Sequence, residues 1–278
     1  METSGGIDRN ANNRSSMLWQ IERILLERFK QKLSMPKFLL MENVRNITSH
    51  QHEKNFEEWK NSLRNMGYKN YVFALNAMDF GIPQKRVRLF MVSVYINGNT
   101  QLEKKVDEYF NSHNLQNKEY LKTLRIKKKK VEDLLKVNYD NPKYKVEADL
   151  NQPNETKSRL SIYEKNCHLY DGKNFLEKVV PTITTKQDRH PNSGLIDYYN
   201  GKEGKCKFRY LTPRECFLLM GFEEKDYENI VNNNFYSRKN NLFFTRDKLH
   251  KMAGNSIVVD VLVQIFKQID YIDKNILN

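Results

Sequence analysis

The stretch Phe38-Leu39-Leu40-Met41-Glu42-Asn43-Val44 is a short apolar run that ends abruptly in polar residues. A continuous apolar run of this length predicts a strand that is buried on both faces, as in a parallel sheet. In such sheets the chemistry lies at the carboxyl ends of the strands. Glu42, at the end of the run, is therefore a candidate functional carboxylate.

Two arginines follow at the start of a second apolar run. Arg86 and Arg88 stand in Pro83-Gln84-Lys85-Arg86-Val87-Arg88, which leads into a strand predicted at 87–95. An acid and two guanidiniums at one edge of a sheet could bind and protonate a planar heterocycle. The alternatives are an ordinary strand-end residue for Glu42 and surface arginines on an edge strand.

Composition indicates a globular protein with an anionic partner. The 278 residues suffice for one large or two modest domains, and 39% hydrophobic with 12% aromatic residues argue against a disordered chain. The net charge of +13 favours a polyanion such as nucleic acid. Apolar runs are too short to predict a membrane span, and the polar stretch Met1–Arg14 does not resemble a secretory signal.

The cysteines predict neither a metal site nor a disulfide framework. Cys167, Cys206 and Cys216 show no Cys-x-x-Cys spacing, and no paired histidines accompany them. We therefore expect no bound metal and a cytoplasmic location. Cys216, inside a predicted helix, is expected to be a small core residue.

The first 95 residues predict an α/β half-domain, because strand, helix, strand, loop and strand follow one another. A helix is predicted from Ser15, and a second one ends at Gly67. The apolar face predicted for the first helix consists of Met17, Leu18, Ile21, Ile24, Leu25 and Phe29. That of the second helix consists of Phe56, Trp59, Leu63 and Met66.

The remainder of the chain changes character twice. Residues 96–205 are polar without a strong period, and they form either a small domain or an insertion. Their run Arg125-Ile126-Lys127-Lys128-Lys129-Lys130 is either a solvated linker or a phosphate clamp. Residues 206–278 contain a capping box at Thr212-Pro213-Arg214-Glu215 and a terminal amphipathic helix from Ile257, with Asn255 or Ser256 as its cap.

Four segments in this order resemble the DNA cytosine-5 methyltransferases of the bacterial restriction-modification type. They are Met41-Glu42-Asn43-Val44, Gly81-Ile82-Pro83-Gln84-Lys85-Arg86-Val87-Arg88, Arg209-Tyr210-Leu211-Thr212-Pro213-Arg214-Glu215-Cys216 with Met220-Gly221-Phe222, and Ala253-Gly254-Asn255-Ser256. The stretch from Arg14 to Arg23 also resembles the family's helix after the catalytic loop. Apart from a variable gap, the resemblance runs nearly from end to end.

The resemblance implies a reaction and roles for three residues. In this family a cysteine thiolate adds to C6 of a flipped cytosine, and C5 then takes the methyl group of S-adenosylmethionine. Glu42 matches the carboxylic acid at ring nitrogen N3, and Arg88 matches the arginine at O2. Arg86 would position the base or contact a phosphate.

The resemblance also implies binding residues and domains. Asn255, Ser256 and Ile257 match the last motif, beside the methyl donor, and Thr182 and Thr184 lie in a segment that resembles the signature of the family's target recognition domain. With Gln84 and Arg86, these threonines are the predicted contacts to double-stranded DNA. The implied fold is the second half of a Rossmann-like methyltransferase domain (1–95 and 206–278) with a small, irregular, mostly β recognition domain (96–205).

Two motifs of the family are missing from this sequence. The Gly-rich loop that holds the methyl donor does not occur, and no cysteine stands in Pro-Cys-Gln. We therefore expect the back part of a methyltransferase, dependent on an N-terminal polypeptide and inactive without it. The alternative is a non-catalytic, sequence-specific DNA-binding protein, either a remnant or a specificity subunit.

Overall fold

A computed structural model describes residues 17–237 and 240–278. The start of the first predicted helix, at Ser15, and the loop predicted before it lie outside the described residues. The chain divides into two compact units. Unit 1 contains residues up to 76, 87–125 and 264–278, and unit 2 contains residues 77–86 and 126–263. The architecture is α/β, as the sequence predicts.

Unit 1 is built on a three-stranded sheet in the order β1-β3-β2. Its strands are β1 (Phe38–Val44), β2 (Tyr68–Asn76) and β3 (Val87–Tyr95). Its helices are α1 (Met17–Lys30), α2 (His50–Asn65), α3 (Thr100–Ser112) and α4 (Lys118–Thr123), with 3-10 turns Arg45–Thr48 and, in unit 2, Ala77–Phe80. The central strand β3 pairs antiparallel with both neighbours.

The prediction of a parallel strand buried on both faces at Phe38–Val44 is wrong. β1 pairs antiparallel with β3, and every one of its residues is half-buried. A run of apolar residues indicates a strand but not the direction of its neighbour, which the connections between strands decide. Among the described residues, β1 has no strand on its other side.

Helix α2 confirms the sequence prediction. Phe56, Trp59, Leu63 and Met66 are all buried, in the core cluster that also contains Leu89 and Met91 of β3. Gly67 follows the helix with φ +90°, a conformation that a side chain would strain, and its N–H donates to the carbonyl of Arg64 (2.9 Å). The 3.6-residue period and the glycine therefore located this helix correctly.

The predicted core face of α1 is largely wrong. Trp19, Glu22 and Leu25 are buried, whereas the apolar stripe of α1 lies in solvent. This α1 stripe consists of Met17, Ile21, Ile24 and Phe29, which are 61%, 48%, 49% and 40% exposed. The period was correct, but the described core packs against the neighbouring face of the helix.

Unit 2 contains more helix than strand, and the same holds for residues 96–205, which corrects the expectation of a mostly β module there. Its helices are α5 (Val131–Leu134), α6 (Pro142–Asn151), α7 (Lys157–Lys165), α8 (Pro213–Leu218), α9 (Glu224–Asn232) and α10 (Arg246–Asn255). The strands β4 (His168–Tyr170), β5 (Leu195–Asp197) and β6 (Phe208–Tyr210) form a small mixed sheet. Because α3 and α4 also fall in 96–205, strands are a minority there. The division at 95/96 and 205/206 stays a prediction, since the compact units have other limits.

The last helices differ from the prediction in one detail. Helix α11 (Val259–Ile272) starts later than expected, and a π-helical turn follows at Asp273–Leu277. Asn255 is the last residue of α10, and Ser256 is its C-cap, with its N–H on the carbonyl of Ala253 (3.1 Å). These residues therefore end one helix and do not begin the next.

A buried ion pair joins β6 to the capping box of α8. Thr212 and Glu215 bond reciprocally, as predicted, and the Glu215 carboxylate also receives two bonds from the Arg209 guanidinium, both 2.8 Å. Both side chains are fully buried. Burial raises the pKa of Glu215, but the bonds from Arg209 and from two backbone N–H groups outweigh it, so the pKa stays below its usual value.

Within the described ranges, no helix is both long and apolar enough to cross a membrane.

Glu215→Gln is expected to lower the free energy of unfolding by about 3–5 kcal/mol at neutral pH, because Arg209 would stay buried without a counter-charge. A lowered carboxyl pKa contributes stability above the ordinary value of 4.5, and this contribution is lost as the pH falls through the lowered value. Urea unfolding at a series of pH values measures both effects. The decrease in unfolding free energy on acidification should be smaller in the variant than in the unmodified chain.

Glu203→Gln is the matched control, because Glu203 is exposed. A change in unfolding free energy for Glu215→Gln no larger than that of the control would contradict the role of the buried pair.

Candidate functional site

Glu42 and Arg88 form an ion pair in unit 1. Arg88 Nε lies 3.3 Å from Glu42 Oε1, and the register pairs Val44 with Arg88 and Glu42 with Phe90. The two charged residues are therefore diagonal neighbours on one face of the antiparallel pair. Their side chains are 19% (Arg88) and 24% (Glu42) exposed, so solvent and a ligand can reach the pair.

The Glu42–Arg88 pair is partly desolvated. Burial lowers the pKa of Arg88, and the carboxylate of Glu42 opposes this shift. Arginine remains charged at neutral pH, and Arg88 Nη1 donates to the carbonyl of Val87 (3.0 Å). The sheet thus presents a carboxyl group and guanidinium donors side by side, which suits an in-plane contact with a heterocycle.

Arg86 holds two distant segments of unit 2 together. Its Nη1 donates to the carbonyl of Ile183 (2.8 Å), and its Nη2 donates to the carbonyls of Gly254 and Ser256 (3.0 Å each). Only 3% of Arg86 is exposed. The planar fork of a guanidinium suits this task, because it can bind several carbonyls at fixed angles.

Gln84 performs a similar task and is also fully buried. Its Nε2 donates to the carbonyl of Leu219 (2.6 Å), and its Oε1 accepts from the N–H of Ile183 (2.9 Å). A contact of Gln84 or Arg86 with DNA stays a prediction, and it would require these side chains to leave their buried positions.

The segment of Thr182 and Thr184 lies against this network. Thr182 Oγ1 donates to the carbonyl of Lys85 (2.6 Å), and Thr184 is exposed. A methyl group at Gly254 would lie 2.5 Å from the carbonyl carbon and oxygen of Thr184, so only glycine allows this approach. The predicted recognition segment and the last family motif are therefore neighbours.

The three predicted donor-site residues differ in availability. Asn255 is exposed, and its side-chain amide makes no hydrogen bond with the described residues. Ser256 Oγ donates to the carbonyl of Ala253 (2.7 Å), and Ile257 is half-buried. Asn255 is thus the member that could bind a polar ligand directly.

None of the three cysteines has the environment of a reactive thiol. Burial raises the pKa of the Cys167 and Cys206 thiols and raises that of Cys216 well above its ordinary value. Because the thiolate is the reactive form, these cysteines are poor nucleophiles at neutral pH. Cys216 is fully buried on α8, which confirms its prediction as a core residue.

No cluster of three or more His, Cys, Asp or Glu residues able to bind a metal occurs in the described part of the chain.

Sequence reasoning missed the role of Arg209 and Arg214. Arg209 binds Glu215, and Arg214 pairs with Glu147 (2.8 Å) on α6, so these two arginines join α8 to β6 and to α6. A signal was present, because both arginines lie in the family-like segment Arg209–Cys216. Long-range carboxylate partners such as Glu147 have no signature in a single sequence.

The family model described as "C-5 cytosine-specific DNA methylase" matches residues 4–271. The chain belongs to this family. The family resemblance predicted from the four ordered motifs is therefore confirmed.

Curated methyltransferases align with nearly the whole chain. The type II methyltransferase M2.ScrFI of Lactococcus lactis subsp. cremoris is 31% identical over 264 residues, covering 95% of this chain and 61% of the relative. The orphan methyltransferase M.SssI of Spiroplasma monobiae is 32% identical over 267 residues, covering 95% and 60%. The chain thus spans about three fifths of the length of these relatives.

Solved structures agree at the level of the fold. The S. pombe Dnmt2 methyltransferase matches with a TM-score of 0.59 at 18% identity, covering 95% of this chain and 75% of that one. The Entamoeba histolytica methyltransferase EhMeth matches with a TM-score of 0.55 at 14% identity, covering 93% and 71%. At these identities the likeness concerns the fold alone.

Arg86→Lys is expected to destabilise unit 2 by about 2–4 kcal/mol, because an ammonium on a flexible stem does not reproduce three bonds to fixed carbonyls. Hydrogen exchange should show faster opening of the amides around Ile183 and Ser256. Arg45→Lys, at an exposed position, is the matched control and should change stability by less than about 0.5 kcal/mol. Equal stability of the two variants would contradict the role of Arg86.

Proposed function

We propose that this chain is the C-terminal part of a DNA cytosine-5 methyltransferase. It would help to transfer a methyl group from S-adenosylmethionine to a flipped cytosine in a specific site of duplex DNA. The observation that carries the proposal is the Glu42–Arg88 pair, reachable from solvent, in a member of the C-5 cytosine-specific DNA methylase family.

In this proposal Glu42 and Arg88 hold the pyrimidine edge. Addition of a thiolate to C6 builds negative charge on the ring, and proton donation from the Glu42 carboxyl to N3 neutralises it. General acid assistance of this kind contributes roughly 100- to 10,000-fold. Arg88 donates to O2 and stabilises the same charge electrostatically. Contacts of this kind also offset the few kcal/mol needed to extrude the base.

Arg86 and Gln84 act as positioning residues in this proposal. Both are buried, and the backbone groups they bind belong to the segments that contain Thr182, Thr184 and Ser256. Fixing these carbonyls and N–H groups fixes the direction of the recognition segment, from which Thr184 can reach DNA. Base-edge contacts give sequence specificity, and contacts to phosphate give register.

The methyl donor would be held in part by the end of α10. S-adenosylmethionine supplies an electrophilic methyl group on a positively charged sulfur. The exposed amide of Asn255 fits a polar group of such a ligand, and half-buried Ile257 fits an apolar one. Ser256 would shape the loop, since its hydroxyl binds the carbonyl of Ala253.

The nucleophile would come from a polypeptide segment that this sequence does not contain. Two observations support this: the three cysteines have raised pKa values, and about two fifths of the length of the relatives lies outside the part that this chain matches. The same segment would carry the Gly-rich loop and most of the donor pocket.

An apolar surface of unit 1 suits the docking of that segment. The α1 stripe exposes four large apolar side chains along one helix face, and the apolar strand β1 lies at the edge of its sheet. Exposed apolar stripes and unpaired apolar edges are features that proteins normally cover. We infer that the donor-bearing segment packs on the α1 stripe and pairs with β1.

Glu42→Gln is expected to reduce methyl transfer by roughly 100-fold or more, because the amide cannot deliver a proton to N3. The assay mixes the full 278-residue chain with a polypeptide that carries the Gly-rich loop and Pro-Cys-Gln. Tritium incorporation into duplex DNA from labelled S-adenosylmethionine gives the rate.

Glu58→Gln is the matched control, because Glu58 is exposed on α2. Full activity of Glu42→Ala would overturn the assignment. DNA binding without methyl transfer in any such mixture would favour the non-catalytic DNA-binding alternative.

Ile21→Lys with Ile24→Lys is expected to abolish binding of the donor-bearing polypeptide, because burying two charges against an apolar surface costs several kcal/mol. Both positions are exposed, so the stability of the chain alone should not fall. Calorimetric titration of the two polypeptides gives the affinity, and thermal unfolding gives the stability.

Val146→Lys with Leu150→Lys is the control pair, since both residues are exposed on α6 in unit 2. Unchanged affinity of the α1 variant would overturn the proposed docking surface. A loss of affinity in both variants would point to a general effect of added charge and would contradict it as well.

A further inference from the structure

The lysine run after Arg125 is fixed to unit 2 through its backbone. We call residues 126–130 the basic strap. The N–H of Lys129 donates to the carbonyl of Gly81 (2.8 Å), and the N–H of Lys130 donates to Asp133 Oδ2 (3.2 Å) at the start of α5. These two hydrogen bonds fix the C-terminal end of the strap. An ordinary solvated linker would not be fixed in this way.

Glycine is required at position 81, where the loop 81–86 contacts the basic strap. Gly81 has φ +87°, and a methyl group there would lie 2.3 Å from the carbonyl oxygen of Lys127. The strap also leads directly into Val131 and Leu134, which are buried. Packing on both sides therefore sets the direction of the strap backbone.

The lysine side chains of the strap point to solvent and are largely unpaired. Lys127, Lys128 and Lys130 are exposed, and none forms an ion pair with a carboxylate of the described residues. Lys129 is half-buried, and its Nζ lies 3.9 Å from Asp260 Oδ2. Positive charges this close in sequence repel one another, and a bound anion reduces that repulsion.

The basic strap and the predicted recognition segment both bind the loop 81–86. The loop 81–86 binds the strap at Gly81 and residues 180–183 at Pro83, Gln84 and Lys85. Val180 exchanges backbone hydrogen bonds with Pro83 and Lys85 (2.8 and 2.9 Å), and Ile183 binds the Gln84 side chain. Three neighbouring segments of unit 2 therefore present lysines and Thr184 within one hydrogen-bonded framework.

We propose that the basic strap binds the phosphate backbone of duplex DNA through Lys127, Lys128 and Lys130. The inference rests on the proposed function for its choice of polyanion. Each lysine that contacts a phosphate displaces condensed counterions, so binding should depend on salt concentration in proportion to the number of contacts. Such contacts set affinity and register without reading sequence.

The test is a triple variant, Lys127→Ala, Lys128→Ala and Lys130→Ala, in the full chain. Anisotropy of a labelled random-sequence duplex, titrated at a series of KCl concentrations, gives the slope of log affinity against log salt. The slope should decrease in magnitude by about 2–3, since each phosphate contact contributes about 0.9. Because the three side chains are exposed, the unfolding midpoint should not change.

A second triple variant removes the same charge elsewhere. Lys104→Ala, Lys105→Ala and Lys118→Ala lie at exposed positions of α3 and α4 and should leave the slope within about 1 of the unmodified chain. Arginines at the three strap positions should preserve it.

The possible outcomes separate the two proposals. DNA binding by the unmodified chain with equal slopes for both alanine variants would overturn the strap and leave the methyltransferase assignment standing. A reduced slope for the strap variant, without methyl transfer in any mixture, would support the strap and overturn the enzyme. A chain that binds no duplex at any salt concentration would overturn the strap.

Discussion

The guanidinium of Arg86 is the constraint on which the candidate site of unit 2 depends. It binds the carbonyl of Ile183 and, far along the chain, the carbonyls of Gly254 and Ser256. Burying a guanidinium is costly, and hydrogen bonds to several fixed carbonyls offset that cost. Because Gln84 also binds the N–H of Ile183, the predicted recognition segment is fixed at both backbone groups of this residue. The Arg86 guanidinium also holds the last family motif, through the carbonyls of Gly254 and Ser256.

In unit 1 the comparable constraint is the register of β1 and β3. Glu42 and Arg88 meet because Val44 lies opposite Arg88 in an antiparallel pair. A slip by one residue would turn one member to the other face of the sheet and separate the charges. The apolar residues of both strands oppose such a slip, since Leu89 and Met91 of β3 lie in the core cluster. Core packing thus determines the geometry of a pair that is itself half-exposed.

Local patterns predicted the local structure well. Helix α2 with its glycine cap, the Thr212–Glu215 capping box and the buried Cys216 followed from periodicity and from neighbouring residues. Expectations that depended on distant partners were less reliable. The direction of β1, the buried side of α1 and the helical content of residues 96–205 each depend on what packs against them. That information is absent from any short window of sequence.

The sequence by itself determined the family, the order of the motifs and the residues that belong to the candidate site, because each motif is a short run of fixed chemistry. Only the tertiary structure decided how those residues divide their tasks. It pairs Glu42 with Arg88 at a reachable face, and it buries Arg86 and Gln84 among backbone groups. The physical reason is that exposure and hydrogen-bond partners arise from contacts between distant segments, and Arg86 and Arg88 differ in both although a single residue separates them.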